Sequence, residues 1–153
     1  MRSKVIDSAR SLGLDLNVQR VPGASASAAA TAAAVGCDCD RLASCAVFVA
    51  DGDPVVCIAS TVSLVDLDLL AEALDVAELR PASDSEVRAS TGFSATAVPP
   101  FGHGLPVVLD QCLLSHTTVW ATGGDGHTLV EVETTRLASC TAATVAAITA
   151  VVA

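Results

Sequence analysis

His103 is the residue best placed to do chemistry, because it stands in Val98-Pro99-Pro100-Phe101-Gly102-His103-Gly104-Leu105-Pro106. The adjacent prolines fix φ at about −65° and remove two amide donors, while a glycine on each side of the imidazole allows conformations that other residues avoid. A stiff, sharply turning segment thus presents one group able to give or take a proton near neutral pH. Asp110 closes the apolar run Val107-Val108-Leu109, where a carboxylate orients a substrate amine or caps a turn. His116 and His127 are expected at the surface and Trp120 in the core. The six cysteines offer no metal set: Cys37 and Cys39 are separated by one residue and no Cys-x-x-Cys occurs. Free thiols are expected, with neither a metal nor another cofactor.

The elements that must hold these groups are legible in outline. Val5, Ala9 and Leu12 follow helical spacing up to Gly13, and Leu14, Leu16 and Val18 then alternate as in a strand. Ser25 or Ser27 caps an alanine-rich helix ending at Gly36. Cys45 to Ala50 and Val55 to Ser60 form the clearest hairpin, turning at Asp51-Gly52-Asp53-Pro54. Leu67, Leu70, Ala71 and Leu74 mark an amphipathic helix capped by Ser63 or Asp66, whose carboxylates form a solvated face. Pro81 opens a short helix through Arg88, and Val107 to Leu109 is a strand. Thr117 to Thr122 and Thr128 to Val132 form a second hairpin around Gly123-Gly124-Asp125-Gly126. That glycine-rich turn lacks the lysine and following helix of a phosphate loop. A final helix is expected from about Thr141. Hairpins with interspersed helices point to an α+β fold: a mixed, largely antiparallel β-sheet or partly open barrel with surrounding helices, in one domain over residues 1–153.

The apolar fraction is 52%, yet there are only three Phe, one Trp and no Tyr, so the core is expected to be aliphatic and finely grained. The net charge of −9 argues against nonspecific nucleic-acid binding, and no DNA contact is expected. The first 41 residues nevertheless carry +1 and the remainder −10, so a polyanion would meet the N-terminal third. Neither the alanine-rich run nor the apolar C-terminal tail reaches the roughly 20 residues a membrane span needs. No membrane association is expected, and the location expected is cytoplasmic.

The order of several motifs resembles the YbaK/EbsC-type domain, which includes the editing insertion of bacterial prolyl-tRNA synthetases and its free-standing relatives. Ser27-Ala28 through Val35-Gly36 resembles the family's alanine-rich second helix, and Val47-Phe48-Val49-Ala50-Asp51-Gly52 its first central hairpin. Leu64-Val65-Asp66 with Leu70-Ala71 is similar to the entry to the next helix. Thr91-Gly92-Phe93, Val98 to His103 and Leu105 to Asp110 resemble the most distinctive part. The match runs nearly end to end.

The resemblance implies hydrolysis of the ester of a small mischarged amino acid on tRNA, with aminoacyl-tRNA as partner and an aminoacyl-tRNA synthetase as a second. The attacking group is water or a ribose hydroxyl, so no Ser-His-Asp triad is expected. His103, Asp110 and Ser44 are the implied catalytic positions, and Thr96, Ala97, Val98, Pro99, Pro100, Phe101 and Gly102 the implied substrate-binding wall. Two departures stand out. Ser44 occupies the place of a family lysine, and a hydroxyl cannot supply that charge. Thr96-Ala97 replaces a pair of glycines, adding Cβ atoms that narrow the pocket. Arg41 is the nearest cation but needs a changed approach. The alternatives are a catalytically silent homologue that binds aminoacyl-tRNA or aminoacyl-adenosine, and an esterase for a small non-tRNA ester.

Overall fold

The computed structural model describes residues 2–13, 17–20, 33, 35–36, 39–95, 97–124 and 128–150. The alanine-rich helix and the Asp125-Gly126-His127 turn expected from the sequence lie wholly or mostly outside them.

A β-hairpin organises the chain. Strands β2 (Ala43–Ala50) and β3 (Asp53–Ser60) pair antiparallel from Ala43↔Ser60 to Ala50↔Asp53, so the turn is only Asp51-Gly52. Both turn residues have positive φ, 47° and 89°, as a tight primed hairpin turn requires. The Asp51 carboxylate accepts from the amides of Ala77 (3.2 Å) and Glu78 (2.8 Å), fastening the turn to the neighbouring connection.

The hairpin forms the middle of a five-stranded sheet in the order β5-β2-β3-β6-β9, with β5 at Leu79–Pro81, β6 at Val107–Asp110 and β9 at Thr144–Ala146. The β3–β6 and β6–β9 pairs are parallel, and the β2–β3 and β2–β5 pairs antiparallel. A second, antiparallel sheet has the order β1 (Asn17–Arg20), β8 (Thr128–Glu133), β7 (Thr118–Thr122). Strand β4 (Leu64–Val65) pairs with β10 (Thr149–Ala150). Four described helices accompany them: α1 (Arg2–Leu12), α2 (Leu67–Leu74), α3 (Asp84–Thr91) and α4 (Thr134–Cys140). This is the α+β arrangement expected, with a mixed sheet and no closed barrel among the described residues.

Alternation along the strands divides the apolar residues between the two faces of the larger sheet. Val47, Val56, Ile58, Val107 and Leu109 enter the main core with Phe93, Phe101, Val119 and Leu137. Phe48, Val55, Cys57 and Val108 face the other way, against Leu70 and Ile148.

Two expectations are corrected. Pro81 does not open a helix; it ends edge strand β5, and α3 starts after the N-cap Ser83, which makes a reciprocal capping box with Glu86. The C-terminal helix is also not formed. Helix α4 stops at Cys140, Ala142 takes a positive φ of 52°, and the following segment enters two sheets as β9 and β10. Alanine favours helix by at most about 0.7 kcal/mol per residue over Thr or Val. Fully burying Ile148 stabilises by about 1.5–3 kcal/mol, and the strand pairing adds to it, so tertiary contacts win.

Candidate functional site

Ser44 lies within β2 with its side chain exposed. It lines a cavity of about 320 Å³ together with Ala46, Cys57, Ala59, Ser60, Thr61, Ser63 and Val65. The walls are small residues and hydroxyls, and none of them is charged. Ser60 Oγ accepts from the Val62 amide (3.3 Å), which shapes the rim. Arg41 does not supply the missing cation. Its guanidinium donates to the Thr118 carbonyl (3.2 Å), the Thr118 hydroxyl and Glu131 (3.4 Å).

Asp110 belongs to the same face of the sheet as Ser44, since it follows Val108 by two residues on β6. It is fully buried and spoken for: Oδ2 accepts from Thr149 Oγ1 (3.0 Å) and Oδ1 from the Ile148 amide (3.4 Å). Cys57, on the floor of the Ser44 cavity, has its thiol pushed up to about 12 by burial and then by the Asp110 carboxylate. Burial likewise raises the Cys45 thiol, on the opposite face. Both thiols therefore stay protonated at neutral pH and are poor nucleophiles.

His103 occupies different ground. It lines a cavity of about 660 Å³ between α1, the Phe101–Leu105 turn and the end of α4, and this cavity shares no residue with that of Ser44. Its Nδ1 accepts from the Leu105 amide (3.1 Å), which assigns the ring proton to Nε2. Nε2 is buried and has no hydrogen-bond partner. An unpaired buried donor of this kind costs about 1–3 kcal/mol. Burial holds the imidazole pKa below its ordinary value, and the nearby Pro100 carbonyl opposes this more weakly. With one nitrogen accepting and the other carrying the proton, His103 offers a donor and no free lone pair for a general base.

The turn that carries it is built by glycine. Gly102 has φ 83°, and a Cβ there would stand 2.9 Å from Ser8 Oγ on α1. Gly104 also has positive φ, 74°, in open surroundings. Of the expected substrate-binding wall, Phe101 and Gly102 line the His103 cavity, whereas Ala97, Val98, Pro99 and Pro100 are buried. Val98 belongs to the main core, and its carbonyl accepts from Thr122 Oγ1 (2.9 Å). Thr96 lies outside the described residues. The structure thus brings Ser44 and Asp110 to one face and sets His103 apart from Ser44. Sequence reasoning missed α1 as a cavity wall, for Asp7, Ser8 and Ser11 carry no motif and only their recurrence on one helical face hints at it.

The family model for the aminoacyl-tRNA editing domain matches residues 22–140. The chain belongs to that family. Among solved structures, a protein described as a candidate trans-editing enzyme for prolyl tRNA synthetase is similar at 30% identity and a TM-score of 0.89, covering 98% of this chain and 97% of that one. A scaffold protein used in computational epitope backbone grafting shares 28% identity over 99% of this chain and 97% of its own, again with a TM-score of 0.89. A hypothetical protein at 23% identity, with a TM-score of 0.89 and coverage of 96% and 99%, shares the fold. No curated protein matches the sequence. In this editing-family chain the matched span includes β2 with Ser44, the His103 turn and Asp110, while α1 and the β9–β10 segment lie outside it. No described helix is long and apolar enough to cross a membrane.

Proposed function

We propose that this protein is a cytoplasmic aminoacyl-tRNA deacylase, a hydrolase that acts in trans on the ester of a small mischarged amino acid. The observation that carries the reading is the family match over residues 22–140, joined to a near full-length structural likeness. The Ser44 cavity supports it physically, because about 320 Å³ walled by Ala46, Ala59 and hydroxyls suits a short side chain. Hydrolysis there adds water to the ester carbonyl and expels the tRNA ribose oxygen. The tetrahedral intermediate needs donors placed where negative charge develops, and Ser44 Oγ–H is one such donor. Asp110 acts from behind the floor, holding the sheet face in place. His103 stands at a separate cavity, with its Nε2 buried, and takes no part in the step at Ser44. Aminoacyl-tRNA is the partner, presented by an aminoacyl-tRNA synthetase or released from it.

One observation favours a second reading: no charged side chain lines the Ser44 cavity, as a catalytically silent binding homologue would have it. Purified protein is incubated with a panel of mischarged tRNAs, beside the Ser44→Lys variant. Release of a small amino acid by the parent supports the deacylase. Release only by the variant transfers the function to binding, and release by neither counts against hydrolysis.

A further inference from the structure

Of the eight residues lining the Ser44 cavity, Val65 alone carries an aliphatic side chain larger than a methyl group. The rest of the wall is hydroxyl side chains, the Cys57 thiol and the methyls of Ala46 and Ala59. Val65 is half-buried and also packs against the second core, which holds Leu70 and Ile148. Little local structure keeps it there. Strand β4 is two residues long, and a two-stranded ladder of that length is marginal by itself. Its support comes from β10, where Thr149 stands directly opposite Val65. Opposed residues of an antiparallel pair project to the same face, and Thr149 Oγ1 donates to the buried Asp110 carboxylate at 3.0 Å. The Asp66 amide, next along the chain from Val65, donates to the carbonyl of fully buried Ile148 at 2.8 Å. Thus β6 holds β10, and β10 holds Val65 at the cavity. The β9–β10 segment lies beyond the matched span of residues 22–140, so a part of the chain outside the family match fixes this wall.

We propose that Val65 determines which side chain the cavity prefers, and that Thr149 is a positioning residue acting through it. This assignment rests on the Ser44 cavity receiving the amino-acid side chain, as the deacylase reading has it. The isopropyl group takes up space and gives the wall its one branched aliphatic surface, so a short side chain that stops before it is favoured over a long one. Truncating Val65 to a methyl makes room for the longer chain. Loosening Thr149 displaces the same wall without altering any lining residue, so the preference relaxes while the chemistry of the cavity stays the same.

The test titrates the full chain and its Val65→Ala, Thr149→Val and Thr149→Ser variants with L-alaninamide and L-leucinamide, following the amides of Cys57, Ala59 and Ser63 by NMR. Hydrogen exchange at the Asp66 amide is read on the same samples. The parent should bind L-alaninamide more tightly than L-leucinamide, and Val65→Ala should shift that ratio toward L-leucinamide by about tenfold or more with Asp66 exchange unchanged. Thr149→Val should shift the ratio in the same direction and speed Asp66 exchange by about tenfold or more. Thr149→Ser, which keeps the hydroxyl donor, should restore both. If Thr149→Val does not fold, Val65→Ala and Thr149→Ser decide. No saturable shift at these amides, the same ratio in the parent and Val65→Ala, or equal weakening of both ligands by Thr149→Val would overturn the proposal. Release from alanyl- and leucyl-tRNA on the same preparations reports separately on the reaction: no release from either, with the binding ratio still shifting, strikes the deacylase reading and leaves the wall assignment standing.

Discussion

Replacing Asp110 with alanine removes the acceptor for one buried and one half-buried donor that hold the β9–β10 segment, and its cost follows from their geometry. The Thr149 Oγ1 contact at 3.0 Å is a good hydrogen bond to a charged acceptor, worth about 1.5–3 kcal/mol. The Ile148 amide at 3.4 Å is longer than the usual range and contributes less, but its loss leaves a buried amide unpaired. Together they put the loss for Asp110→Ala at about 3–4 kcal/mol. At about 2–4 °C per kcal/mol for a chain of this size, the melting temperature should fall by about 6–16 °C. Thr149→Val should cost about 1.5–3 kcal/mol alone, and almost nothing once Asp110 is alanine, because the shared bond is already gone. Thermal melts of the four proteins at neutral pH complete the cycle. A melting temperature within about 2 °C of the parent for Asp110→Ala, or simple additivity with Thr149→Val, would refute the latch. Deacylation kept in Thr149→Val and lost in folded Asp110→Ala would instead place the carboxylate in the reaction.

Gly102→Ala should destabilise by about 2–3 kcal/mol in urea melts, combining left-handed strain with the Ser8 clash, whereas Gly104→Ala should cost only the strain, about 1–2 kcal/mol. His103 should make stability sensitive to acid. Its folded pKa lies below the unfolded value of about 6.5, so the unfolded chain takes the proton first, and stability present above that pH declines as pH falls through it. His103→Gln should flatten the slope. Alkylation at neutral pH should modify exposed Cys112 and spare Cys57 until the protein unfolds, as mass spectrometry of digests would show.

The hairpin at Asp51-Gly52 was legible because its signal is local: two residues suited to positive φ between β-branched runs. The strand ending at Asp110 was legible for the same reason. The last segment was not, because Ala142, Ala143, Ala146 and Ala147 favour a helix whereas the partners that make it strand, β6 and β4, are far away in sequence. The candidate site was half legible. The family motif singled out Ser44 and the His103 turn, yet nothing in the sequence showed that this turn packs against α1. Nor could the sequence disclose that the Leu105 amide fixes the imidazole tautomer.

The pairing of β9 with β6 and of β10 with β4 sets the order in which the molecule can be completed. During synthesis β2, β3 and β6 emerge first, leaving the Asp110 carboxylate without Thr149, the second face without Ile148, and the β6 edge open. A ribosome-bound chain ending before Thr144 should therefore expose that edge and remain sensitive to protease and to self-association. The β9–β10 segment acts as the closing step for these pairings, and a delay in its arrival is a delay for the whole sheet.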